Sequence, residues 1–221
     1  MKTIGILGGL GPAASCRLYD LLIRMHAVTR DQDHPDIVLY SKASVPDRTA
    51  FLLGNSDVSP LPALIDGLQT LQAAGAQVLA MPCATAHHFY DDLQAAVDIP
   101  LLNMLALTAQ HLAAQGITRA GLLCTLGSYH SGAFVRALQA QGIDVIVPDN
   151  PHAVMQTIND VKLGKLCSNA LDLLTQPLLA RGAQTVILGC TELSLLAAEP
   201  DELYTDPMQI LAKELLCEST S

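Results

Sequence analysis

The stretch VLAMPCATAHHFY (78–90) has a cysteine where an apolar run gives way to polar residues, and VILGCTELSLL (186–196) repeats the arrangement. A threonine follows closely in both: Thr85 two residues after Cys83, and Thr191 directly after Cys190. A thiol at a helix N-terminus is biased toward thiolate, below its ordinary pKa of about 8.5. Two such thiols facing one carbon from opposite sides can invert it. One removes a proton from its face and the other supplies a proton to the far face. A lone cysteine in an apolar strand is more often a small buried hydrophobe, and that reading is assigned to Cys16, Cys124, Cys167 and Cys217. Their shared setting marks Cys83 and Cys190 as the proton-transfer pair.

The elements that would position these thiols alternate along the chain. TIGILG (3–8) reads as a buried strand, GGLGP as the turn into a helix, and Pro12 as part of the first turn of a helix running to about residue 28. DIVLYS (36–41) is the next strand, 59–75 a helix, AQVLAM (76–81) a strand, TAHHFYDDLQAAV a helix and IPLLNM (99–104) a strand. RAGLLC (119–124), DVIVP (144–148) and TVILG (185–189) continue as strands, with helices at 129–141 and across 152–181. Short strands separated by helices predict an α/β fold with parallel sheets flanked by helices.

The two halves resemble each other. GILGGLGP (5–12) corresponds to AGLLCTLGS (120–128), and each cysteine is followed by a helix, a proline-bearing segment and another helix. The expected architecture is two similar lobes related by a pseudo-twofold, with the active site in the cleft between them. Residues 1–100 and 206–221 form the first lobe, 101–205 the second, and a final helix at about 207–218 returns to the first. Ligands of open α/β sheets sit beyond the carboxyl ends of the strands, which is where both cysteines stand.

Composition narrows the function. The 221 residues are 50% hydrophobic and 15% charged, so a large core is available. A net charge of −9 argues against nucleic acid and anionic membrane as partners. Six widely spread cysteines in a chain with its own core read as free thiols of a reducing cytoplasm rather than a disulfide framework. The start MKTIGILGGLGPAASC mimics a lipoprotein signal, but its short, glycine-bearing apolar run suits a strand entering a turn.

Several motifs taken together resemble the cofactor-independent aspartate/glutamate racemase family, in particular its aspartate racemase branch. MKTIGILGGLGPAAS is similar to the family's start, DQDHPDIVLY and VPDRTAFLLG to its next segment, and MPCATAHHFYDDLQ to its first cysteine motif. INDVKLGK, VILGCTELSLL and YTDPMQILA are similar to the second-half motifs. The resemblance implies two-base racemisation of aspartate or glutamate without pyridoxal phosphate or any other cofactor, with Cys83 and Cys190 alternating as acid and base. It also implies a homodimer, and Arg48 and Lys162 as the cations that bind substrate. The chemistry agrees, because removing the α-proton piles negative charge onto the carboxylate and a cation must stabilise it. Arg48 offers a planar fork and Lys162 a point charge, with loop bracing and a solvated helix face as their plain alternatives.

Other residues join the candidate site. Asp47 and Glu192 stand beside Arg48 and Cys190 and can orient or deprotonate a thiol, although Glu192 also suits a helix's first turn. Thr85 and Thr191 can cap helices or bind substrate carboxylate. Gly8, Gly9 and Gly11 permit close backbone approach to a ligand, or only make the turn. The family has Asn where this chain has Ala84, which leaves the substrate open among aspartate, glutamate and a less polar amino acid.

Competing readings are weaker. Cys83, His87 and His88 evoke zinc, but adjacent histidines on a helix cannot both face one site, so no metal is expected. GILGGLGP lacks the spacing of a dinucleotide-binding turn. A related single-cysteine isomerase or lyase of small dicarboxylates is the enzymatic alternative. An amino-acid-binding protein is the non-enzyme alternative, and it has no use for two opposed thiols.

Overall fold

The computed structural model describes residues 1–165, 169–197 and 203–220. Two parallel sheets form its frame. In the first, β1 (Ile4–Gly8) lies between β2 (Ile37–Ser41) and β3 (Val78–Ala80). In the second, β4 (Arg119–Leu123) lies between β5 (Asp144–Ile146) and β6 (Thr185–Leu188), and β6 is flanked by the short β7 (Tyr204–Thr205). β1, β3 and β6 are buried along their whole length, as expected of unbroken apolar runs sandwiched between helices.

The sheets share one strand order. The order β2-β1-β3 matches β5-β4-β6, and the predicted strand at 99–104 would match β7. That strand shrinks to a single parallel bridge between Leu79 and Leu101. The next ladder bond, from Met104 N to Met81 O, is not made, because Met104 N donates to His87 Nε2 and Met81 O accepts from Cys83 N.

The helices are α1 (Pro12–Met25), α2 (Arg48–Leu52), α3 (Leu61–Ala73), α4 (Tyr90–Ala95), α5 (Met104–Ala114), α6 (Leu126–Ser131), α7 (Ala133–Gln139), α8 (Pro151–Lys162), α9 (Ala170–Ala180) and α10 (Pro207–Thr220). Several differ from the sequence expectation, and α2 lies where no helix is expected. The first ends at Met25 rather than residue 28. The helix expected at 129–141 is split into α6 and α7 by Gly132, whose φ of 64° no ordinary residue adopts readily. The helix expected after Cys83 begins as a 3₁₀ segment, Ala84–Phe89, before α4.

The lobes are fused at their base. One core cluster joins Ile4, Ile6 and Val78 of the first sheet to Ala120, Leu122 and Ile187 of the second through α5 and α10. Helix α10 packs on α1 and β3 and also on α5. Of the other cysteines, Cys124 is fully buried, as a small hydrophobe should be. Cys16 and Cys217 are exposed, contrary to that reading, because they fall on the outward faces of α1 and α10. Cys167 lies outside the described residues. No helix among the described residues is long and apolar enough to cross a membrane.

Candidate active site

Cys83 and Cys190 follow equivalent strands, β3 and β6, and both line one small cavity at the carboxyl edges of the sheets. Arg48, Lys162, Asp47, Thr85, Thr191 and Glu192 line it too, so the structure brings together nearly the whole predicted constellation. Gly8 and Gly9 do not line it. A side chain at Gly8 would collide with Ser15, and Gly9 turns the chain with φ 83° against the Lys42 backbone, so both belong to the turn inside the first lobe. Of the three, Gly11 is the one beside the site, since a methyl group there would run into Glu192 Oε1.

Each thiol enters a 3₁₀ turn instead of an α-helix. Cys83 O accepts from Ala86 N at 3.1 Å, and Cys190 O accepts from Leu193 N at 2.9 Å. Such short turns align few peptide dipoles, and the expected thiolate bias is absent at Cys190. Burial pushes the Cys190 thiol well above its usual pKa, and the neighbouring Glu192 adds to the effect. Lys162 pulls in the opposite direction. Cys190 Sγ donates to Glu192 Oε2 at 2.9 Å. Glu192 is 4% exposed, and its Oε1 has no hydrogen-bond partner.

The cations sit differently from one another. Arg48 braces the loop: its Nη1 donates to Val45 O and Pro46 O, and its Nη2 donates to Leu10 O at 2.7 Å. Its Nε is buried without a partner, which leaves a donor for a ligand. Lys162 is the last residue of α8, exposed at the mouth of the cavity. Asp47 caps α2, its Oδ1 accepting from Ala50 N at 2.7 Å.

Hydroxyl groups stitch the two halves across the cavity. Thr85 Oγ1 lies 2.9 Å from both Thr125 Oγ1 and Ser128 Oγ, and Thr191 Oγ1 donates to Pro82 O at 3.3 Å. Thr125 and Ser128 escaped the sequence reading. The internal repeat was the available signal, because it sets Thr125 where the first half has Gly9. His87 is buried and neutral: burial lowers its pKa, and Nε2 accepts from Met104 N at 3.2 Å. Nδ1–H therefore donates to Cys83 O at 2.9 Å. His88 is exposed and takes no part. Among the described residues no group of three or more His, Cys, Asp or Glu is placed to hold a metal ion.

Similarity to known proteins identifies the class to which this two-lobed α/β cleft belongs. A chain of Picrophilus torridus aspartate racemase superposes with a TM-score of 0.89 at 28% identity, covering 100% of this chain and 95% of that one. An aspartate racemase homologue from Pyrococcus horikoshii OT3 superposes with a TM-score of 0.79 at 24% identity over the whole of both chains, a likeness of fold. The broad-specificity amino-acid racemase RacX of Bacillus subtilis is 28% identical over 86% of each chain. Residues 7–215 match the Asp/Glu/hydantoin racemase model, so this chain belongs to that family of isomerases.

Proposed function

We propose that the chain is a cofactor-independent racemase of a small amino acid, aspartate first, working by proton transfer between Cys83 and Cys190. The supporting observation is that both thiols and two cations line a single cavity. One thiolate takes the α-proton from its face, and the electron pair left on carbon spreads into the carboxylate held near Arg48 and Lys162. The opposite thiol delivers its own proton to the other face. The first thiol is now protonated and the second is a thiolate, ready for the reverse reaction. Raised by burial and bonded to Glu192, Cys190 rests as the acid, and Glu192 Oε2 is the acceptor that frees its thiolate.

The cavity holds about 20 Å³, enough for roughly one water. An amino acid therefore enters only when the walls part. The fused core holds the base of the lobes together, so parting falls to the mouth, which α2 and the end of α8 line. Ala84 lines the cavity with a methyl group and no amide, which supports a second substrate reading. A less polar amino acid fits there, and the RacX relative is named for broad specificity.

We place the chain as a homodimer in a reducing compartment. Tyr19, Ile23 and Met25 of α1 and Leu39 of the edge strand β2 are exposed apolar residues suited to a partner copy. Light scattering at micromolar concentration tests the dimer, and a monomer there would refute it.

The activity test is α-proton exchange in deuterated water, with chirality followed, on both enantiomers of aspartate, glutamate and several neutral amino acids. Racemisation with solvent deuterium in the product, abolished by Cys83→Ser and by Cys190→Ser, is expected. Full racemisation by either variant would rule out the two-thiol mechanism. Binding without exchange would make the chain a binding protein.

A further inference from the structure

Each thiol turn is anchored by the residue four positions after its cysteine, and the two anchors use different chemistry. His87 follows Cys83 at that spacing, and Ser194 follows Cys190. His87 is 4% exposed and Ser194 1%. The His87 ring spans from Cys83 O to the N–H of Met104, the first residue of α5. Ser194 Oγ donates to Asp206 Oδ1 at 2.7 Å, and the same oxygen accepts from the N–H of Met208 at 2.9 Å, in the first turn of α10. An imidazole thus does in the first half what a hydroxyl and a carboxyl group together do in the second.

The anchored ends converge on one platform. Helices α5 and α10 pack against each other, and Met104 and Met208 are 1% and 0% exposed in the core that joins the two sheets. Helix N-termini carry N–H groups that the helix itself cannot satisfy. Here those groups fix the side chains that fix the turns. A short 3₁₀ turn has few internal bonds to hold its own orientation, so the direction of each thiol is set from outside.

We propose that His87 and the Ser194–Asp206 pair are matched positioning residues, the first aiming Cys83 and the second aiming Cys190, each governing proton transfer at one face of the substrate. The inference rests on the two-thiol reading above. Neither anchor touches the cavity; each acts through the main chain that carries the thiol.

The test measures loss of the α-proton into deuterated water, for each enantiomer of the amino acid the parent racemises fastest, in two backgrounds. In Cys190→Ser only Cys83 remains to exchange its enantiomer; in Cys83→Ser only Cys190 does. Adding His87→Asn is expected to slow exchange about 10- to 100-fold in the Cys190→Ser background, the effect of a misplacement near 1 Å. In the Cys83→Ser background the same change should stay within about twofold. Ser194→Ala should do the reverse. His87→Gln, whose side-chain oxygen can accept from Met104 N, should recover part of the lost exchange. If His87→Asn does not fold, His87→Gln supplies the same comparison. Equal losses in both backgrounds, or no loss in either, would overturn the pairing of anchor with face. If the two cysteine backgrounds fail to restrict exchange to opposite enantiomers, the two-thiol reading itself falls, and the inference with it.

Discussion

Gly127→Ala sets two forces against each other, and the structure says which wins. Gly127 lies in α6, where alanine ordinarily gains up to about 1 kcal/mol over glycine. A Cβ built there would lie 2.8 Å from Thr49 Cα and 3.1 Å from Thr49 Oγ1. Carbon atoms rest at about 3.5–4.0 Å, so α2 must retreat by roughly 1 Å. The obstacle is backbone on the opposite wall of the cleft, so no rotamer change relieves it. Overpacking of this kind costs about 1–3 kcal/mol, which cancels or exceeds the helical gain. The melting temperature should then stay level or fall by up to about 8 °C. Helix α2 carries Arg48 and Thr49 into the cavity, so a 1 Å retreat should lower kcat/KM about 10- to 100-fold. Thermal melting and a chiral racemisation assay read both quantities. A variant that melts higher with activity intact would show that the halves do not meet at Gly127 and Thr49 in the working enzyme.

Further expectations concern the other side chains of the cleft. Arg48→Lys should recover little of the activity lost in Arg48→Ala and should melt lower than the parent, because one ammonium cannot hold three carbonyls and substrate together; near-normal kcat/KM in the lysine variant would refute the assignment. Gly11→Ala should slow racemisation by pressing on Glu192, yet be nearly silent in a Glu192→Ala background where the obstacle is gone; additive losses in the double variant would refute the contact. His87 is held neutral by burial, so below its unfolded pKa of about 6.5 the unfolded chain binds the extra proton and stability falls with pH. That loss, up to about 1.4 kcal/mol per pH unit, should be absent from His87→Asn in denaturant titrations between about pH 6.5 and 5. Parallel pH profiles for the two proteins would refute it.

The sequence carried the frame because its signals are local. Unbroken apolar runs such as IGILG specify strands buried on both faces, and the repeated setting of Cys83 and Cys190 places both thiols at strand ends. The doubling of GILGGLGP in AGLLCTLGS implies two like lobes. Arg48 and Lys162 were legible through motif resemblance and through the charge that deprotonation creates. Side-chain competition for backbone groups was not legible. His87, by taking the Met104 N–H, ends the 99–104 strand after one bridge, and Gly132 breaks a helix that periodicity runs straight through.

Only the tertiary structure decided the electrostatics and the aim of the thiols. Helix-end reasoning favours a thiolate at Cys190, but burial and Glu192 reverse it, because desolvation depends on neighbours far away in the chain. Glycines 8, 9 and 11 look alike in sequence; only Gly11 faces the opposite lobe. Thr125 and Ser128 enter the site, and His87 and Asp206 anchor it, through contacts across the cleft or onto helix ends. The sequence by itself determined which groups can exchange a proton. Packing of two halves on one core determined which of them meet, and pushed the buried Cys190 thiol toward its protonated form.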